Sequence, residues 1–353
     1  MKTRLAVAAL LCSVCAWSVA VAQNRTAGNA TLTAVPGIIV GHFTYTERPT
    51  GCTAVIVQGD AVGGVAQRGG APATRETDLL NPLNLVDKVN AISLSGGSAF
   101  GLDAATGISR WLEQRNVGWD TRIARVPIVP AASIYDLPVG NKPSIRPDAD
   151  CGFKAATAAS SAPVPEGNVG AGAGAVLGQM GGAGHAMKSG LGTASISLPN
   201  GLIVAALVVV NASGEVIDPS NGRVVAGSRD EQGALIDLRQ ILRRGGSVGG
   251  SADARNPGEH TTIGVVATNA KLTKAEAARL ALMADDGYAR AINPVHTMAD
   301  GDTIFTLATG RLAAPVDLSR VGALAAEVVS DAVVRAATQA TGIPGLPAAR
   351  DLK

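Results

Sequence analysis

Thr261 stands at an abrupt junction. The stretch before it, Arg243 to His260, reads RRGGSVGGSADARNPGEH. It is polar, Gly-rich and without periodicity, which predicts a flexible loop. The stretch after it, Thr261 to Ala267, reads TTIGVVA and predicts a buried strand. A cut at this junction would start a new chain at Thr261, with a free α-amine beside its own hydroxyl. An α-amine has an unperturbed pKa of about 8 and can act as base for that hydroxyl, the chemistry of a nucleophilic acyl transfer. A loop that enters a strand is, by pattern alone, usually no more than that.

Other residues suit the same chemistry, each beside a plainer reading. Asp300 and Asp302 flank Gly301 ahead of the apolar run Thr303 to Leu307. Alternate residues of an extended chain point to one side, so both carboxylates can face one site and hold an ammonium between them; the same residues would also make a solvated turn. Lys188 precedes Ser189-Gly190. A cation near the nucleophile would lower the pKa of the α-amine or bind a developing oxyanion; a surface lysine is the plain alternative. Asn211 ends the apolar run 202–210, where an amide donor suits an oxyanion hole. Asn211-Ala212-Ser213-Gly214 equally reads as a turn.

The remaining candidates point elsewhere. His42, His185, His260 and His296 are scattered without metal-ligand spacing, so no metal is expected. His185 and His296 are read as structural hydrogen-bonding groups. GNVGAGAGA (167–175) lacks the strand–helix context and placed acid of a dinucleotide loop, so no cofactor is expected, and close backbone packing explains it better. Ser95-Gly96-Gly97-Ser98 predicts a tight turn opening a helix, with Ser98 as a cap.

These residues need a large framework. The chain has 353 residues, 43 of them Gly, with 46% apolar and only 16% charged, against roughly a quarter charged in ordinary domains. Lys2 and Arg4 followed by the apolar run Leu5 to Ala22, ending Ala20-Val21-Ala22 before Gln23, predict a cleavable secretory signal over 1–22 and a periplasmic or secreted protein. Cys12 or Cys15 as a lipoprotein cut fits poorly. Removing Lys2 and Arg4 from the 30 basic residues leaves 28, equal to the acidic count. That balance excludes nucleic acid and anionic membrane as electrostatic partners. Cys52 and Cys151 then remain, as one disulfide or two buried thiols.

Val/Ile-rich runs with little alternation predict strands covered on both faces: 38–40, 53–57, 203–210, 263–267 and 304–307. Ser195–Leu198 and Leu202–Val210 form a hairpin around Pro199-Asn200-Gly201. Thr273-x-x-Glu276 is a capping box opening a helix that ends near Asn293-Pro294. Val321, Leu324, Val328 and Ala332 mark a second amphipathic helix, and Ser98 to Arg115 contains another. Together these predict a layered α/β or α+β fold.

Eight segments carry a resemblance over nearly the whole mature chain: VPGIIVGH (35–42), TGCTAVIV (50–57), SLSGGSAFGLDAATG (93–107), RVPIVPAASIYDL (125–137), EGNVGAGAGA (166–175), KSGLGTASI (188–196), TTIGVVATNAKLTKAE (261–276) and HTMADGDTIFTLATG (296–310). The chain resembles the S58 peptidases, which include L-aminopeptidase/D-alanine esterase-amidases, β-aminopeptidases and nylon-oligomer endohydrolases. The resemblance implies a four-layer αββα sandwich like that of N-terminal-nucleophile hydrolases. It implies one self-cleavage, here between His260 and Thr261, giving a large chain 23–260 and a small chain 261–353 of one domain.

By the same resemblance Thr261 is the nucleophile and Lys188, Asn211, Asp300 and Asp302 serve it, in the pattern of the Thr branch of nylon-oligomer hydrolases. His260 stands where that branch commonly has Asn or Asp. Gly250-Ser251 mimics the Ser-branch junction but runs into Ala-Asp-Ala-Arg-Asn-Pro rather than a strand; Thr262 is an adjacent alternative. The implied substrates are small peptides or linear amides such as 6-aminohexanoate oligomers, and the implied assembly is a homo-oligomer of processed pairs, with four as the suggested number. An acyltransferase of the ornithine-acetyltransferase kind and a non-catalytic relative that fails to process are the alternatives.

Overall fold

A computed structural model describes residues 29–182, 184–245 and 260–352. The apolar runs become strands β1 (Ile38–Thr44), β2 (Gly51–Gln67), β3 (Lys88–Ser95), β4 (Leu191–Ser197), β5 (Ile203–Asn211), β6 (Thr261–Thr268) and β7 (Thr303–Ala308). With the short strands Thr74–Arg75 and Ala131–Ser133 they form one sheet of nine. The order is β4-β5-β6-β7-β2-β3, then Ala131–Ser133 and Thr74–Arg75, with β1 paired to β2. β4 and β5 are the expected hairpin, antiparallel from Leu191↔Val209 to Ser197↔Ile203.

β2 is the joint of the fold. Its first part pairs with β1 and β3, its last part with β7, and its register against β3 slips between Ile56 and Ala61. The sheet therefore has two halves sharing one strand. A single buried cluster joins Ile38, Val55, Ile92 and Leu94 of one half to Leu207, Val209, Val265 and Phe305 of the other. This is the layer between the half-sheets. Outside it, Val204, Val208 and Val266 pack on Leu280 of helix α3 (Lys274–Ala291) and on Val321 and Val329 of helix α4 (Leu318–Thr338). Ala54, Ile56 and Ala91 pack on Ile108 and Leu112 of helix α1 (Ala104–Glu113) and on Ala155 of helix α2 (Ala149–Thr157).

The result is the expected αββα layering. β5 shows why its sequence does not alternate: Val204, Ala206, Val208 and Val210 face the helices while Ala205, Leu207 and Val209 face the inner core. Each fully buried Val or Leu contributes about 1.5–3 kcal/mol, so both faces must be apolar.

The Thr273–Glu276 capping box forms as read, and α3 ends at Ala291. The expected cap at Ser98 does not form. Gly97, in left-handed backbone at φ 85, takes the cap position of the turn Ser98–Asp103, and α1 follows directly. Small residues set the spacing of α1 and α2. A Cβ on Gly107 would overlap the Ala149 carbonyl, and one on Gly152 would overlap the Ala104 carbonyl. Cys52 of β2 and Cys151 of α2 are joined as a disulfide with Cα atoms 6.2 Å apart, tying a helix layer to the sheet. The signal segment 1–22, Gly250-Ser251 and most of the loop before His260 lie outside the described residues.

Candidate active site

The site gathers at one end of the sheet because of strand direction. β6 and β7 are parallel neighbours, with Ile263 opposite Thr303, so the residues just before each strand lie side by side. β5 is antiparallel to β6, so its last residue, Asn211, pairs with Thr261. Residues far apart in the chain thereby meet: Asn211 at the end of β5, His260 and Thr261 at the start of β6, and Asp300 to Asp302 at the entry to β7.

The peptide between His260 and Thr261 is gripped from both sides. His260 bridges Asp300 in parallel. Its carbonyl oxygen accepts the Gly301 N–H at 2.8 Å and also the hydroxyl of Thr261. An N–H on that oxygen stabilises negative charge there, as an oxyanion donor does. Thr261, Asp300, Asp302, Asn211 and Ser213 are all buried, which strengthens every charge in the group. The side chain of Thr262, the adjacent hydroxyl, lies on the other face of β6. Thr261 is followed at alternate positions by Ile263 and Val265, which face the inner core, so the intervening Thr262 points to the opposite face of the sheet.

The two carboxylates have different surroundings. Asp302 accepts Thr262 N–H on Oδ1 at 2.7 Å, and both the backbone N–H and the ring Nδ1 of His296 on Oδ2 at 3.0 Å. Asp300 accepts the Ser213 hydroxyl at 3.0 Å and Thr297 N–H at 2.8 Å. Burial, and then the charge of Asp302, hold the Asp300 carboxyl above its ordinary value of 3.8. That makes Asp300 a better proton acceptor than a solvated aspartate.

Asn211 spans the wall of the site. Its Oδ1 accepts Val176 N–H at 3.0 Å, and its Nδ2 donates to the Tyr135 carbonyl at 3.2 Å. Lys188 lies behind that wall, fully buried. Its Nζ meets the carbonyls of Gly172 at 3.2 Å, Ala175 at 2.9 Å and Ser189. Burial pushes its pKa down to about 7, against an opposing pull from Asp136. Lys188 thus reaches Thr261 through Ala175-Val176 and Asn211, and its ammonium is directed at main-chain carbonyls. The GNVGAGAGA run supplies two of those carbonyls, Gly172 and Ala175, and its backbone is closely packed as read: a Cβ on Gly172 would overlap the Leu191 nitrogen and one on Gly174 would lie 2.5 Å from the Pro49 carbonyl. Asp136 is in turn held by Arg48 Nη2 at 2.6 Å, Thr50 Oγ1 at 2.6 Å and Gly97 N–H at 2.8 Å, all buried.

Residues 30–350 match peptidase family S58. The chain belongs to that family. An uncharacterized aminopeptidase of Mycobacterium tuberculosis is 41% identical over 91% of this chain and 97% of its own. A 6-aminohexanoate-oligomer endohydrolase of Kocuria sp. is 30% identical over 86% and 84%. Among solved structures, the L-aminopeptidase D-Ala-esterase/amidase of Ochrobactrum anthropi, described as a variant of the Ntn hydrolase fold, superposes with a TM-score of 0.65 at 20% identity, covering 90% of this chain and 89% of that one. This S58 chain is accordingly a hydrolase of amide or peptide bonds on an Ntn-type fold.

Sequence reading of the S58 chain passed over four of these residues. Ser213 and Gly301 sit inside segments already singled out, but their roles depend on partners from other strands. His296, read as structural, bears directly on Asp302; His185, with Nδ1 at 2.6 Å from the Arg229 carbonyl, is structural as read. Asp285, whose Oδ2 lies 2.9 Å from His296 Nε2, could have been noticed as an acid among the buried positions of α3, beside Ala284 and Tyr288.

Gly301 offers a direct test. A Cβ there would come within 2.8 Å of Thr261 Oγ1 and 2.7 Å of the Ala71 carbonyl. Gly301→Ala should displace the hydroxyl or the Gly301 N–H, and any cleavage of the His260–Thr261 peptide should slow at least about tenfold, since small misplacements in a reacting pair cost this much or more. A mass-spectrometric time course with the wild-type half-time would show the contact to be unimportant.

Proposed function

We propose that the chain is an exported, self-processing amidohydrolase whose nucleophile is Thr261. The observation that carries this reading is the buried Thr261 hydroxyl lying against the His260 carbonyl, with Gly301 N–H on that carbonyl oxygen. In the first reaction Oγ1 bonds to the His260 carbonyl carbon, the bond from that carbon to the Thr261 nitrogen breaks, and the nitrogen takes the hydroxyl proton. Water then cleaves the resulting ester, returning the hydroxyl and leaving His260 as a carboxylate. On this reading the freed α-amine, next to its own hydroxyl and in the same buried group as Asp300 and Asp302, acts as base.

In the second reaction the same oxygen attacks a substrate amide, the amine leaves with a proton, and water releases the acid. Small peptides and linear amides are the substrates of this reading; relatives named for both activities support it. Export is supported by the Cys52–Cys151 disulfide, a bond characteristic of oxidising compartments. A homo-oligomer of large and small chains completes the reading.

Intact mass and N-terminal sequencing of the purified mature protein test it. Two chains, the smaller beginning Thr-Thr-Ile-Gly, are expected, and light scattering should give a multiple of the pair's mass. A single uncut chain without amidase activity would sink the proposal.

A further inference from the structure

We infer that His296 is a positioning residue of this site: as an imidazolium bridging Asp285 and Asp302 it holds the Asp302 carboxylate against the start of β6, and so leaves Asp300 as the acid that exchanges protons with the nucleophile. This rests on the reading of Thr261 given above.

The geometry makes the charge state. His296 Nδ1 lies 3.0 Å from Asp302 Oδ2, and Nε2 lies 2.9 Å from Asp285 Oδ2. The first contact is a hydrogen bond; the second is an ion-pair contact off hydrogen-bond alignment. A neutral imidazole carries one N–H and would turn a lone pair on one of the two carboxylates. Only the imidazolium serves both. The backbone N–H of His296 donates to the same Asp302 oxygen as the ring, at 3.0 Å. Ring and main chain reach one carboxylate together because His296 sits in left-handed backbone, φ 56, a conformation that non-Gly residues keep only where the surroundings demand it.

The charges around the ring are balanced. Its own segment supplies Asp302 and, one residue beyond Gly301, Asp300. α3 supplies Asp285 and Tyr288, whose ring centroid lies 6.4 Å away. The end of β2 supplies Arg68, with Nε 3.5 Å from Asp285 Oδ2. Two carboxylates in contact with the ring thus face the imidazolium and one guanidinium. Asp300 lacks such company: the partners described for it, Ser213 Oγ and Thr297 N–H, are neutral. The pair Asp300/Asp302 is therefore unsymmetrical by construction. One member is clamped by a cation and two backbone N–H donors, and the other is left basic.

Burial by itself would lower the pKa of His296, but the close contacts and charges of Asp285 and Asp302 outweigh it and raise the value from 6.5 to about 9. The clamp is closed at neutral pH and opens as pH rises through that value.

The experiment uses the full-length mature chain. In the uncut Thr261→Ala protein labelled with 15N-histidine, the His296 ring, identified by its loss in the Thr261→Ala/His296→Gln double variant, should carry protons on both nitrogens at pH 8. A neutral tautomer at that pH overturns the proposal. His296→Gln keeps a donor but no charge. It should lengthen the half-time of self-cleavage and lower kcat tenfold to a hundredfold, with KM within about twofold, and it should abolish the fall in kcat expected of the wild type above about pH 9. A packing defect would not remove one limb of a pH profile.

Should His296→Gln not fold, Asp285→Asn leaves His296 and Asp302 in place and should move that alkaline limb down by about one pH unit. An unmoved limb in the folded variants overturns the inference. A wild type that neither cuts itself nor hydrolyses amides sinks the reading of Thr261, whereas an active wild type beside an unaffected His296→Gln sinks only the role of His296.

Discussion

Thr261→Ala should leave the mature protein as a single uncut chain without amide hydrolysis. The substitution removes the hydroxyl that lies against the His260 carbonyl and leaves Gly301 N–H, Asp300 and Asp302 without the proposed nucleophile. Removing the nucleophile of a covalent hydrolase lowers kcat on the order of 10⁴–10⁶-fold. On the proposed mechanism the loss would be compounded, because the α-amine proposed as base would never be released. The fold should survive, since Thr261 contributes a methyl and one hydroxyl to a strand whose register is fixed by Asn211↔Thr261 through Val204↔Thr268 and by β7 on its other side. Thr261→Ser restores a hydroxyl and should cut slowly. Intact mass decides the matter: a Thr261→Ala chain that still splits between 260 and 261 would place the nucleophile elsewhere.

Asp302→Asn should be the second most damaging change. Its two oxygens accept Thr262 N–H on one side and two N–H groups of His296 on the other. An amide in this place has one acceptor and one donor end. Either orientation turns its NH₂ on an N–H, and His296 loses one of its two carboxylates. Breaking a buried ion pair by removing one partner costs about 3–5 kcal/mol, and the start of β6 is released at the same time. We expect stability to fall by that amount and self-cleavage to slow on the order of a hundredfold. Urea unfolding in the Thr261→Ala background, where neither protein is cut, isolates the stability effect.

The pH dependence of that stability carries a sign. His296 has a folded pKa of about 9, above its unfolded 6.5. Its contribution is therefore complete below about pH 6.5 and disappears as pH rises through about 9. Asp302→Asn should shrink the stability difference between pH 6.5 and pH 10. A variant with an unchanged urea midpoint and wild-type cleavage would remove Asp302 from the site.

The elements of this S58 chain were legible because their signals are local. The capping box Thr273/Glu276 satisfies backbone groups within one turn, and it formed where it was read. The apolar runs of β5, β6 and β7 lack alternation because both faces are covered, a demand that every position expresses in its own residue type. Ser98 failed as a cap because the local backbone is left-handed at Gly97 and Ser98, which a hydroxyl residue does not announce. Cys52 and Cys151 left bond and free thiols equally open; only the crossing of α2 over β2 brings them within bonding distance.

The sequence alone determined that a hydroxyl begins a buried strand after a polar Gly-rich stretch, that two acids flank a glycine before another strand, and that both belong to one family pattern. Their types and near spacings are chemical facts of the chain. What the tertiary structure decided is which of them meet. The parallel pairing of β6 with β7 sets Asp300 to Asp302 beside His260 and Thr261, and the antiparallel pairing with β5 brings Asn211 and Ser213 to the same edge. It also placed Lys188 behind a wall of carbonyls and His296 between two carboxylates, because burial, charge partners and hydrogen-bond direction depend on neighbours that one-dimensional spacing does not contain.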